Sequence, residues 1–247
     1  MREWLPELLA LPLYPLLAWQ GRRTRLRVPR LPEPEDEAHG MAGAGGGKPL
    51  SLLLIGESPV AGVGVSSHAD GIGAATAQAL AGASGRPVQW QAYGINGITV
   101  AQARNELLPH IPASPVDIAC IAFGVNDSTS FRRHAQWRAD ILAMLELLQQ
   151  SARPRLILLS GVPPLATFPA LPWPLRQVLG MKAASLDRAL ADIARARPAT
   201  IHVPFPATLS DPAYMASDGY HPSAAGCRYW AGIMVEAIPG PLLSSLS

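Results

Sequence analysis

The sequence predicts an α/β protein: a three-layer α/β/α sandwich built on a five-stranded, mainly parallel sheet. Three observations lead there. From residue 50 onward, short apolar runs recur, and the first three stop directly before Gly56, Gly94 and Gly124, as buried parallel strands do. Between the runs lie stretches with apolar residues at helical spacing. Strands that alternate with helices make a parallel sheet covered on both faces. The chain of 247 residues suits one large domain, and its 49% apolar content excludes a wholly disordered polymer.

The elements follow in order. Residues 1–48 read differently from the rest. Residues 4–19 are strongly apolar but hold Pro6, Pro12 and Pro15, and Glu3 and Glu7 stand at their start. The run is shorter than the roughly 20 residues that a spanning helix needs. With Arg2 as the only early cation and no small-residue cleavage site after Trp19, it is also a poor signal peptide. Arg22, Arg23, Arg25, Arg27 and Arg30 come next, then Glu33, Glu35, Asp36 and Glu37. An apolar segment followed by arginines can lie on an anionic membrane surface. Packing of this arm on the body of its own domain, or on a second subunit, is favoured, because one weak signal seldom anchors a protein. Residues 1–30 are therefore the candidate for peripheral membrane or homo-oligomer contact. Location is otherwise open, a cytoplasmic one being favoured. Residues 41–48 form a glycine-rich linker. They are no phosphate loop, since Ala42 and Pro49 break the pattern and a strand follows instead of preceding. The expected division is an arm and linker over 1–48 and one α/β domain over 49–247.

Strands are expected at residues 50–55, 87–93, 116–123, 155–159 and 200–203. Helices are expected at 68–81, 99–108, 133–150, 175–196 and 223–238. The third of these helices is the clearest, with Trp137, Ile141, Met144, Leu145 and Leu148 near period 3.6. Ser223 and Asp218 are cap signals for the last. Cys120 and Cys227 lie in apolar runs and read as buried thiols; two cysteines make neither a disulfide scaffold nor a cysteine-rich zinc site. A net charge of +2 gives no nucleic-acid surface.

In open parallel sheets, ligands bind beyond the carboxyl ends of the strands. Three strand ends carry polar residues among glycines: Gly56-Glu57-Ser58, Gly94-Ile95-Asn96-Gly97 and Gly124-Val125-Asn126-Asp127. Asp218-Gly219-Tyr220-His221 stands near the C-terminus. A serine hydroxyl needs a base to become a nucleophile. His221 is a candidate base, and Asp218, three residues earlier in a turn, can fix its tautomer through Nδ1. The backbone N–H groups of Ser58 and Gly97 and the side-chain amide of Asn126 are candidate donors to an oxyanion. Singly, each has a bland explanation as a cap or turn residue. Together, at successive strand ends, they specify a site.

These four blocks resemble those of the SGNH (GDSL-type) esterase/lipase superfamily over residues 50–238. The resemblance implies a flavodoxin-like sandwich and serine ester hydrolysis without a metal or organic cofactor. It gives Ser58 the part of nucleophile and first oxyanion donor. Gly97 and Asn126 become the other two donors, and Asp218 and His221 the acid and base. Glu57 departs from the family's usual Asp, which lengthens the carboxylate's reach and alters the hydrogen bonding of the turn. Gly94 competes with Gly97 for the donor role; Gly97 is preferred because Thr99 follows at the family's spacing. Asp127 is expected to support the turn.

The proline-stiffened loop of residues 163–174 is apolar. It reads equally as a pocket wall or as packing against the arm or a neighbouring subunit. Val60, Val125, Leu165, Phe168 and Tyr220 are the candidate substrate-binding residues. The expected substrate is a small short-to-medium acyl or aryl ester. Two alternatives stand: an O-acetylesterase of carbohydrate or a cell-surface polymer, and a non-catalytic ligand-binding module. The second rests on Gly62-Val63-Gly64, an incomplete nucleotide fingerprint. His39, His68, His110, His134 and His202 show no metal-binding spacing, and a cap or surface role is expected for His68.

Overall fold

The computed structural model describes residues 5–246; Arg2, Glu3 and Trp4 of the arm lie outside the described residues. Helix α1 spans Leu5–Arg27 and strand β1 His39–Ala42. The repeating core follows: β2 (Leu50–Gly56), α2 (Ile72–Ser84), β3 (Val88–Gly94), α3 (Val100–Glu106), β4 (Ile118–Ala122), α4 (Val125–Thr129), α5 (His134–Ser151), β5 (Leu156–Ser160), α6 (Leu175–Ala196), β6 (Thr200–Val203), α7 (Ala224–Glu236) and α8 (Gly240–Ser245).

The sheet order is β1-β3-β2-β4-β5-β6, with every pairing parallel except β1 on β3. Without β1 the order is second-first-third-fourth-fifth, the flavodoxin-like winding, whose switch point lies between β2 and β4. The five expected strands are therefore joined by a sixth. The segment His-Gly-Met-Ala has no alternating apolar pattern. Its strand forms because it pairs with the free edge of β3, from His39 opposite Gln91 to Ala42 opposite Val88.

Alternation along the strands divides the core in two. Leu53, Ile55, Ile121, Ile157 and Leu159 pack in the cluster that holds Trp137 of α5 and Leu186 of α6. Leu52, Leu54, Ile118, Cys120 and Leu158 pack in the cluster that holds Leu80 of α2 and Trp230 of α7. Burial pushes both thiols up to about 12, so each stays protonated and inert.

The arm is a helix, which the three prolines hide in the sequence. Pro6 lies in the first turn, where an N–H has no partner to lose. Pro12 and Pro15 leave the carbonyls of Leu8 and Leu11 without a donor, but all four residues are exposed and water replaces the lost bonds. The helix packs on α6. Gln20, buried, donates from Nε2 to the Trp173 carbonyl (2.8 Å) and accepts the Leu175 amide (3.1 Å). Lys182 of α6 is fully buried and donates to Glu7.

Candidate active site

The chain leaves β2 through a tight turn. The Glu57 amide bonds the Ala122 carbonyl (3.2 Å), holding the turn beside β4, and the Val60 and Ala61 amides return to the Glu57 carbonyl. Ser58 is thereby set at the switch point, with 8% of its surface exposed. The turn needs glycine: a Cβ on Gly56 would lie 2.5 Å from Val60 Cγ2 and 2.6 Å from the Ala122 carbonyl oxygen.

The other partner comes from a turn 163 residues away. The Ala216 amide bonds the His221 carbonyl (2.8 Å), closing the loop before α7. Within it, Asp218 Oδ1 accepts the amides of Tyr220 (2.9 Å) and His221 (3.0 Å), and Oδ2 accepts the His221 Nδ1 proton (2.6 Å). A proton on Nδ1 leaves Nε2 as an acceptor, and it lies 3.0 Å from Ser58 Oγ. Burial pushes the Asp218 carboxyl up, but the hydrogen bonds from the His221 ring, the His221 amide and the Tyr220 amide outweigh it. The net position is below the ordinary carboxylate value.

Glu57 organises the third strand end. Its Oε1 accepts the Val125 amide (2.9 Å), and its Oε2 accepts the Asn126 amide (3.1 Å) and the Asn126 side-chain Nδ2 (2.5 Å). Burial, helped by the charge of Asp127 and opposed by these donors, raises its carboxyl to about 7. The longer side chain thus bridges the first and third blocks. Asp127, fully buried, accepts the Val100 amide at the start of α3 (3.1 Å) and so ties the second block to the third. Burial pushes its carboxyl up to about 6.

The three candidate oxyanion donors differ. The amides of Ser58 and Gly97 have no hydrogen-bond partner among the described residues. Gly97 has φ +82° with open space around it. Gly94, its competitor, is committed to packing, since a Cβ there would lie 2.2 Å from the Ala61 nitrogen. Asn126 Nδ2 is already engaged, with Glu57 and with the Ile98 carbonyl (3.2 Å).

Beside Ser58 and His221 opens a narrow apolar cavity of about 40 Å³. Of the five candidate substrate-binding residues, Val125, Phe168 and Tyr220 line it. Phe168 meets Tyr220 edge-on at 5.4 Å. Val60 and Leu165 do not reach it. Val60 is buried against Gly56 in the core on the α2 side, and Leu165 is buried in the other core cluster. Ser160, Phe205, Leu209 and Trp230 also line the cavity. Trp230 donates from Nε1 to Ser160 Oγ (3.2 Å). Sequence reading passed over these residues. Ser160 ends β5 and Gly161 follows it, so both fall under the same strand-end rule that found the others; the aromatics carry no local signal.

Loop 163–174 both walls the cavity, through Pro163 and Phe168, and packs on the arm through Gln20. The glycines at 62 and 64 belong to the turn after β2. They have φ +82° and +108°, and they allow close approach of Pro34 and of the Pro222 carbonyl respectively. His68 is buried, and its amide donates to Asp36 (3.0 Å).

A serine, a histidine and an aspartate in hydrogen-bonded series, at the switch point of a flavodoxin-like sheet, have the arrangement of a serine hydrolase. The chain belongs to the GDSL-like lipase/acylhydrolase family, whose model matches residues 54–229, and it is a carboxylic ester hydrolase. It is 26% identical to the GDSL-like esterase Rv1075c of Mycobacterium tuberculosis, over 94% of this chain and 78% of that one. In fold it is similar to the lipase Lip_vut3 from a goat rumen metagenome (TM-score 0.61, 17% identity, 78% of this chain and 99% of that one). It is also similar in fold to a lipolytic protein of the G-D-S-L family from Veillonella parvula (TM-score 0.57, 15% identity, 76% and 98%).

Proposed function

We propose that the chain hydrolyses short-to-medium acyl and aryl esters through an acyl-enzyme on Ser58. The observation that carries this reading is the unbroken series from Asp218 through His221 to Ser58 Oγ. His221 Nε2 takes the hydroxyl proton as Oγ attacks the ester carbonyl, and Asp218 stabilises the imidazolium that forms. The carbonyl oxygen becomes an oxyanion and accepts the amides of Ser58 and Gly97. Asn126 turns one of its Nδ2 hydrogens to the same oxygen, releasing the Ile98 carbonyl while Glu57 keeps hold of the other. His221 then gives its proton to the departing alcohol. Water, activated by the same nitrogen, hydrolyses the acyl-enzyme.

The small cavity and its apolar walls support a short acyl chain and weigh against carbohydrate. Val125, Phe168 and Tyr220 bound the acyl group in this reading, and residues 49–247 carry the catalytic domain. A fluorophosphonate should label Ser58 stoichiometrically, and Ser58→Ala should abolish both labelling and p-nitrophenyl acetate turnover. Turnover retained by the alanine variant would sink the proposal.

A further inference from the structure

Among the described residues, eleven large apolar side chains are exposed, and eight of them lie on α1. Four of the eight share one ridge, and Leu5, Leu9, Tyr14 and Leu16 lie on its flanks. The buried stripe of the helix runs through Pro6, Ala10, Leu17 and Gln20. The opposite ridge, at spacings of three and four, reads Leu8, Leu11, Pro15, Trp19, Arg22 and Leu26. On it Leu8 is 64% exposed, Leu11 77%, Trp19 54% and Leu26 87%. Trp173, 70% exposed, stands beside this helix, since its carbonyl is held by Gln20. A patch of this kind on a soluble surface marks an interaction site.

Charge identifies the occupant. Residues 8–32 contain five arginines and no acid. Arg22, Arg23, Arg25, Arg27 and Arg30 are all exposed, and none forms an ion pair among the described residues; Arg23 lies over the Trp19 ring at 5.2 Å. The one described acid of the helix, Glu7, is turned inward to Lys182. The acidic block beginning at Glu33 follows only after the helix has ended, and Asp36 within it is fixed to Ser67 and His68. The exposed side of the helix is therefore apolar over its first turns, and arginines join it after Trp19, with Arg22 on the ridge and Arg23 and Arg25 beside it. Tryptophan favours the boundary between lipid and water, and arginines favour lipid phosphates. No helix among the described residues is long and apolar enough to cross a membrane.

We propose that the outer ridge of α1 lies flat on an anionic phospholipid bilayer, its leucines and Trp19 among the acyl chains and its arginines on the headgroup phosphates. The cleft is linked to that face: the loop that Gln20 holds on the helix also supplies Phe168 to the cavity wall. Docking would bring the candidate site to the lipid surface.

The test is co-sedimentation of the full chain with vesicles of phosphatidylcholine alone and of phosphatidylcholine mixed with phosphatidylglycerol, with light scattering in the absence of lipid. Binding should require phosphatidylglycerol and weaken with added salt. Arg22→Ala and Arg23→Ala should each weaken it about fivefold. Leu11→Glu should weaken it roughly tenfold or more. All three variants should keep the parent rate on soluble p-nitrophenyl acetate, which shows that they are folded and separates this proposal from that for the catalytic site. Failure of the parent to bind either vesicle, or equal binding by Leu11→Glu, would overturn it. So would a stable dimer that Leu11→Glu dissociates, since a second copy would then cover the ridge.

Discussion

Asn126 and Glu57 are bound to each other before any substrate arrives, and that bond has two consequences. The carboxylate fixes the orientation of the amide, so Glu57 positions Asn126 where a shorter aspartate would have to draw the third block inward. In the proposed role of oxyanion donor Asn126 acts only once charge has developed, so Asn126→Ala should lower kcat on the order of a hundredfold with little change in KM. Burial also ties Glu57 to the stability of the fold. An unfolded chain releases this proton near 4.5, whereas the folded one holds it to about 7. Between those values the folded state binds more protons, so stability falls as pH rises through the window and is level above it. Asp127, raised to about 6, acts in the same direction. Urea midpoints measured across this range should decline with pH, and Glu57→Gln should flatten the decline. At this scale the sequence was informative about which residues meet: Ser58 follows Gly56 at the end of β2, Asp218 and His221 share a glycine-containing turn before α7, and the structure brings the three together. It was uninformative about Val60 and Leu165. Neighbourhood in sequence says nothing about which side of a strand end a side chain leaves from.

The elements of the parallel core follow from apolar runs and helical spacing, and each of the five expected strands is present. Sequence reading passed over α1 and β1 as well as the short helices α4 and α8, and the stability of the first two comes from partners. β1 takes its hydrogen bonds from the edge of β3, and α1 takes its apolar contacts from α6. Prolines in the one and glycine in the other erase the local signal without preventing the structure. The buried ammonium of Lys182 makes the docking of α1 testable. Its partner Glu7 is a quarter exposed, so the pair is linked to solvent on one side only. Glu7→Ala would leave a charge buried and unpaired, at a cost of about 3 kcal/mol or somewhat less for the partial exposure. Lys182→Met replaces the stem with an apolar chain of similar length and should be far milder. Urea denaturation of the two variants should show this asymmetry. Equal losses would mean that Glu7 contributes through packing instead of charge.

The whole molecule enters the proposed reaction through the meeting of two distant turns, one after β2 and one before α7. No local pattern sets that distance, since it depends on the two helices that flank the sheet and on how closely the turns approach. Gly64 is where they touch. With φ +108°, a Cβ there would stand 2.4 Å from the Pro222 carbonyl oxygen and 3.2 Å from the His221 Cβ. The obstacle at Pro222 is backbone, so it cannot rotate away, and the strain must displace one turn from the other. A displacement of about 1 Å between nucleophile and base can cost on the order of a hundredfold in rate. Gly64→Ala should therefore slow fluorophosphonate labelling of Ser58 and ester turnover together, though the variant touches neither proton. Gly97→Ala is the comparison: it also has positive φ, but nothing lies within 4 Å of the added methyl. It should pay only the local backbone strain, about 1–2 kcal/mol, and should label Ser58 much faster than the Gly64 variant does. Equal labelling rates would show that the Ser58–His221 distance is held by the flanking helices alone and not by the contact between the turns.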